Sequence, residues 1–226
     1  MEAALRECEQ LQQEREATAA KSGREPKEAR ASTTDSEARV MKFSDGGFRP
    51  GYNVQFATDT ASGLIVGVTV VNAGTDNREL SPMLDQLQER YGRTPAEMLV
   101  DGGFATQEAI TDAAENHDCL IFAPLKDEAK QRAAGKDPHA RKRGDNDAMA
   151  AWRARMGETW ARTIYKLRCQ TAEWVNAICR NHGLAQMPVR GTTKCGNVAL
   201  LHAITHNLMR ALTLRTQAKM AKHQAT

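Results

Sequence analysis

Two acids in this chain stand where a carboxylate is useful. Asp101 follows the apolar run Met98-Leu99-Val100 and leads straight into Gly102-Gly103-Phe104. Open α/β sheets place their sites at the carboxyl ends of strands, and a carboxylate there meets water while the sheet fixes its backbone. The two glycines let the chain turn away without crowding a ligand. The plainer alternative is an aspartate that starts an ordinary turn. Glu173 sits between Ala172 and Trp174 in a helical stretch. Arg180 lies seven residues on, about 20° away around an α-helix, so a Glu173–Arg180 ion pair is the plain reading. The chemical alternative is a metal ligand facing Asp101 with a cation nearby. On the residues alone the turn aspartate and the ion pair are the favoured readings.

Other candidates carry less. His202 and His206 have the i, i+4 spacing of zinc ligands, but no third ligand accompanies them, which favours core or surface histidines. Cys169, Cys179 and His182 are too widely spaced for a zinc site. Gly46-Gly47 and Gly102-Gly103 lack the phosphate-loop pattern with its lysine. Asp59 lies in the turn series Asp59-Thr60-Ala61-Ser62-Gly63 and reads as turn chemistry; neither it nor Asp76 is assigned a catalytic role.

Elements able to position Asp101 and Glu173 are visible in the pattern. Tyr52–Ala57 alternates apolar with polar or small residues, and Leu64–Val71 is β-branched and nearly continuous, so together they predict a hairpin. Leu80, Met83, Leu84 and Leu87 recur at helical spacing before Tyr91-Gly92. Met98–Asp101 is a short strand, 106–116 a helix and Cys119–Pro124 another strand. This order is α/β, with helices covering a mixed sheet. Residues 126–148 are charged and carry Gly135, Pro138 and Gly144, predicting a mobile insertion. A long helix follows over 148–181, with Trp152, Met156, Trp160, Ile164, Leu167, Trp174 and Ile178 as its stripe and His182-Gly183 as its close. A last helix over 198–215 offers Leu200, Leu201, Ile204, Leu208 and Leu212 as a buried face. Residues 1–34 are polar, with one short stripe of Leu5, Cys8 and Leu11 running into a linker. The expected layout is 1–34 as a helical or linker segment, 35–215 as the main domain and 216–226 as a basic tail.

Composition sets the class. Hydrophobic residues make up 41% and charged residues 26% of 226, a globular profile. No apolar run nears the roughly 20 residues of a membrane span. Five scattered cysteines fit neither a disulfide framework nor a zinc knuckle, so reduced thiols in a cytoplasm are expected. Net charge is only +3, and the clusters Arg141–Arg143, Arg190–Lys194 and Arg210 to Lys222 read either as solvated surface or as phosphate contacts.

Taken together, the blocks STTDSEARVMK, GGFRPGYNVQFATDT, LVDGGF, IYKLRCQTAEWVNA and HAITHNLMR resemble insertion-sequence transposases of the DDE class. The resemblance runs from about Ser32 to Arg215. It implies a ribonuclease H-like domain, two divalent cations (Mg²⁺ or Mn²⁺) held by an Asp-Asp-Glu triad, and DNA as partner, both transposon ends and target. Asp101 then matches the second aspartate and Glu173 the glutamate, as catalytic and metal-binding residues. Tyr165, Arg168 and Arg180 match the DNA-binding positions around the glutamate, with Arg180 replacing a lysine. Two departures follow. Four residues separate Arg168 from Glu173 where the family more often has three, which on an α-helix turns the arginine about 140° away. Nothing before Asp35 resembles the strand that bears the first aspartate. The chain is therefore expected to lack that strand, to be inactive alone, and to act on DNA with full-length transposase or by self-association. The alternatives are a non-enzymatic DNA-binding or regulatory remnant and a decayed frame that folds poorly.

Overall fold

A computed structural model describes residues 2–43 and 46–224, so Met1 and the last two residues of the expected tail lie outside the described residues. Helix α1 spans Glu2–Ser22, and strands β1 (Arg39–Lys42), β2 (Phe48–Gly51), β3 (Asn53–Thr58) and β4 (Ile65–Val71) follow. Then come α2 (Leu80–Tyr91), β5 (Glu97–Leu99), α3 (Gln107–Glu115), β6 (Leu120–Phe122) and α4 (Glu128–Ala133). Helices α5 (Asp147–Gly157), α6 (Thr159–Tyr165) and α7 (Trp174–Cys179) lead to α8 (Thr192–Gln224). The class is mixed α/β, as the pattern predicts. Among the described residues, however, the strands pair as β1–β2, β3–β4 and β5–β6 rather than as one continuous mixed sheet.

The chain divides into two compact units. The first comprises Met1–Gln55, Val68–Gly74 and Cys179–Thr205. Here the segment after α1 folds back along it: Gln12 accepts the Ala29 amide at 2.9 Å, and Arg39 pairs with Glu7 at 2.5 Å. Leu11 is buried while Leu5 is 59% exposed, so the expected apolar stripe of α1 is only partly used. The STTDSEAR block anchors the start of α8. Asp35 accepts from the Tyr52 hydroxyl at 2.9 Å and from the Gly191 amide at 3.2 Å, and Glu37 accepts from the Thr192 amide at 2.9 Å. A carboxylate at a helix N-terminus meets unpaired N–H groups and the positive end of the dipole. The Thr192 amide accordingly holds the Glu37 carboxyl below its ordinary range.

The second unit comprises Phe56–Gly67, Thr75–Ile178 and His206–Thr226. Its core joins Leu80 and Leu84 of α2, Ala109, Ile110 and Ala113 of α3, Ile121 and Phe122 of β6, and Met149, Trp152 and Met156 of α5. The local signals behind these elements agree with their ends. Gly92 closes α2 with φ 67, and the Thr106 side chain caps α3 by accepting the Ala109 amide. Residues 126–148 contain α4 and are tied down, with Asp145 paired to Arg153 at 2.7 Å where both side chains are nearly buried.

Two sequence expectations fail on helix faces. The single helix expected over 148–181 is broken at Glu158, which is extended (φ −77, ψ 143), and α7 ends at Cys179 before Gly183 turns the chain at φ 102. Trp152 and Met156 are buried, but Trp160, Leu167 and Trp174 are 41–49% exposed, and Val175 and Cys179 are buried instead. In α8 the predicted face is reversed. Leu201, Ile204, Leu208 and Leu212 are 55–64% exposed, while Cys195, Ala199, Ala203 and His206 are buried. Polar contacts explain the choice in its later half, because the residues beside His206 are committed to the β3–β4 turn. Asn207 bonds both the amide and the carbonyl of Ile65 at 2.8 Å, His206 meets the Gly63 carbonyl at 2.9 Å, and Arg210 donates to the Ser62 carbonyl at 2.6 Å. The small residues Cys195, Ala199 and Ala203 continue that buried face.

The exposure pattern predicts opposite responses on the two faces of α8. Ala199→Leu overpacks a filled site and should cost about 1–3 kcal/mol. Leu201→Gln should stay within about 0.5 kcal/mol. Urea unfolding of the two variants checks this, and the reverse order would show that the leucine face is the buried one.

Candidate active site

Asp101 is placed by a parallel ladder. Strand β5 pairs with β6 in the register Met98↔Ile121 and Leu99↔Phe122, and the Val100 amide donates to the Phe122 carbonyl at 2.9 Å. Val100 and Phe122 are buried, so the ladder is fixed up to the residue before Asp101. Asp101 then opens a turn, its carbonyl accepting the Phe104 amide at 3.0 Å. Its side chain is 55% exposed. The glycines that follow have separate explanations. A Cβ on Gly102 would lie 3.1 Å from the Pro124 carbonyl oxygen, so Gly102 allows two backbones to approach. At Gly103 the nearest group would be the Asp76 carboxylate at 3.7 Å, an ordinary contact.

Glu173 is placed by a local departure from α-helical geometry. Residues Cys169–Glu173 form a π turn. In such a turn hydrogen bonds run between residues five apart, so residue i+5 lies one turn away, where an α-helix would have i+4. The additional residue between Arg168 and Glu173, expected to swing the arginine away, is absorbed there. Arg168 Nη1 meets Glu173 Oε1 at 2.7 Å. Next along the chain, Trp174 makes an edge contact with His206, at 5.7 Å between ring centroids, and lies under Arg210. The residue after Glu173 is thus held by the face of α8 that grips the β3–β4 turn.

Both acids end on one side chain. Arg168 Nη2 meets Asp101 Oδ2 at 2.6 Å, while its Nη1 serves Glu173. The two carboxylates are therefore no farther apart than two hydrogen bonds and the width of a guanidinium. Arg168 is only 16% exposed, whereas each acid is about half exposed. Tyr165, half-buried against the core, lies within the field of the same three charges. Burial raises its phenol above the ordinary value; Arg168 opposes that shift, and Asp101 and Glu173 add to it.

The structure brings together Asp101, Tyr165, Arg168 and Glu173. Arg180 belongs to the other unit, is exposed and has no partner among the described residues. The ion pair suggested for Glu173 is thus made by Arg168 and not by Arg180, because the π turn puts Arg168 one turn from the acid. His206, weighed against zinc, is a buried residue bonded to a backbone carbonyl. Asp59 acts in its turn, accepting the Ser62 amide at 2.7 Å. What sequence reasoning missed is the shared guanidinium. The signal was the extra residue itself, since an insertion into a helix is often taken up as a π turn, and such turns recur at functional sites.

The family model for the transposase DDE domain matches residues 17–209, most of the chain. The chain belongs to this transposase family. No curated protein and no solved structure matches it. Transposases of this family generally use divalent metal ions. Among the described residues no group of three or more His, Cys, Asp or Glu is arranged to hold one. Two carboxylates gathered around one cationic group nevertheless suit a single Mg²⁺ or Mn²⁺, since Mg²⁺ is bound through one or two carboxylates and keeps several waters.

The backbone approach at Gly102 gives a direct check on how Asp101 is held. Gly102→Ala, pressing on the Pro124 carbonyl, should destabilise the chain by about 1 kcal/mol, while Gly103→Ala should stay within about 0.5 kcal/mol. Thermal unfolding of the two variants distinguishes them, and equal effects would remove the role given to Gly102.

Proposed function

We propose that this chain is a DNA transposase domain of the metal-dependent, strand-cleaving and strand-transferring kind, inactive alone. The domain so delimited is 35–215, of ribonuclease H-like lineage. The observation that carries the reading is the convergence of a strand-end acid, Asp101, and a helix-borne acid, Glu173, on a single guanidinium. Matching of the family over residues 17–209 supports the same reading.

In this reading Asp101 and Glu173 hold Mg²⁺ or Mn²⁺. The bound ion supplies activation of water or a 3′-hydroxyl and stabilises the leaving oxygen in an in-line displacement at phosphorus. The protein's own groups do the rest. Asp101 is kept still by the β5–β6 ladder, and Glu173 by the π turn and by Trp174. Arg168 offers two N–H-bearing nitrogens in a fork that also matches a phosphodiester. Tyr165 keeps its proton, since burial raises its phenol, and serves as a hydrogen-bonding group beside the site. Arg180, exposed on the turn after α7, is a further phosphate contact. Full-length transposase or a second copy of the chain is the further partner in this reading. Five unpaired cysteines and a DNA substrate fit a cytoplasmic protein, and no helix among the described residues is long and apolar enough to cross a membrane.

A second reading, a DNA-binding or regulatory remnant without chemistry of its own, is favoured by one observation. From Thr192 to the end the chain holds Lys194, Arg210, Arg215, Lys219 and Lys222 but no Asp or Glu. Such a stretch neutralises phosphates and makes binding salt-dependent.

Incubating the purified chain with duplexes carrying the inverted repeats that flank its gene, plus Mg²⁺ or Mn²⁺, tests both readings. The expected result is binding that weakens steeply with salt and no cleaved or joined product. Robust cleavage, lost in both Asp101→Ala and Glu173→Ala, would show the site to be complete. Salt-independent or absent binding would count against both readings.

A further inference from the structure

We propose that Arg168 is a resident counter-ion that must be drawn off by a phosphodiester before Asp101 and Glu173 accept a divalent cation. Loading of the metal and recognition of DNA are then coupled through one side chain. The proposal rests on the reading of Asp101 and Glu173 as metal ligands and adds the order in which the site fills.

Four observations carry it. First, the guanidinium occupies the space a cation would take, with Nη2 on Asp101 at 2.6 Å and Nη1 on Glu173 at 2.7 Å. Second, arginine does not lose its proton in proteins, so no accessible pH vacates the site by titration. Third, the arrangement is lopsided in exposure. Arg168 is 16% exposed while Asp101 and Glu173 are 55% and 51% exposed. A cation arriving from solvent can reach the acids, but displacing Arg168 leaves a largely buried charge unpaired, which is costly. Fourth, the groups nearest Arg168 on its own helix give it no substitute. Tyr165, three residues back, is a half-buried neutral phenol.

An oxyanion from outside resolves the conflict. A phosphodiester offers two oxygens to the same fork, so the guanidinium can exchange carboxylates for phosphate without losing its pairing. The carboxylates, left as two adjacent like charges, then favour a divalent ion over none. The chain alone should therefore bind the metal poorly, and binding should improve either when DNA is present or when the arginine charge is removed.

The test is Mn²⁺ binding to the full chain, followed by the loss of the free-ion electron paramagnetic resonance signal. Measurements use wild type, Arg168→Gln and Asp101→Asn, each with and without a short duplex and corrected for the duplex alone. Arg168→Gln should bind Mn²⁺ about tenfold more tightly than wild type without DNA, a change of the size that two partly exposed ion pairs can supply. Duplex DNA should tighten wild-type binding by a similar factor and leave Arg168→Gln nearly unchanged. Asp101→Asn should abolish the gain in both cases. Equal Asp101-dependent affinity in wild type and Arg168→Gln, with no effect of DNA, would overturn the counter-ion role while leaving the metal site standing. Mn²⁺ binding that ignores Asp101→Asn in every chain would overturn the metal site and the inference together. Should Arg168→Gln not fold, as judged by its circular dichroism and thermal transition, the DNA dependence in wild type decides alone.

Discussion

Everything at the candidate site turns on one guanidinium held between two carboxylates. Asp101 and Glu173 are 72 residues apart in sequence, one just past a strand and the other ending a π turn. Two exposed like charges brought together without compensation repel. Arg168 removes that repulsion, and because each nitrogen serves a different acid, it also fixes their relative position. In the proposed reading, the same arrangement marks where another cation would go.

Much of the second unit can be understood as support for that meeting. The parallel β5–β6 ladder, buried from Val100 to Phe122, delivers Asp101 at its end. Gly102 lets the chain leave close to the Pro124 carbonyl. On the other side, Trp174 rests against His206 and Arg210, and those residues, with Asn207, bond the backbone of the β3–β4 turn from Ser62 to Ile65. The HAITHNLMR block is thus explained by structure, as a set of polar groups that hold one turn and one tryptophan. STTDSEAR has a comparable role in the first unit, where Asp35 and Glu37 satisfy the amides at the start of α8.

The pattern of residues made the elements around Asp101 legible because short strands and capped helices carry local signals. Thr106, Gly92 and the Asp59–Gly63 turn each do locally what their chemistry suggests. Helix faces were less legible. Apolar periodicity predicted a leucine face for α8, yet the buried face is built from Cys195, Ala199, Ala203 and His206. Hydrophobicity favours burying leucine, but the hydrogen bonds of His206, Asn207 and Arg210 decided the orientation of the later half, and they are not visible in a period. Likewise the residue count between Arg168 and Glu173 implied separation only for a regular α-helix. The π turn changes that geometry, and the extra residue was its one sign in the sequence.

A crystal structure of the chain would test the central claim most directly. The account predicts a π turn over Cys169–Glu173 and one guanidinium, that of Arg168, within hydrogen-bonding distance of the carboxylates of both Asp101 and Glu173. A regular α-helix there, with Arg168 turned to solvent and the two acids on different faces of the unit, would contradict it.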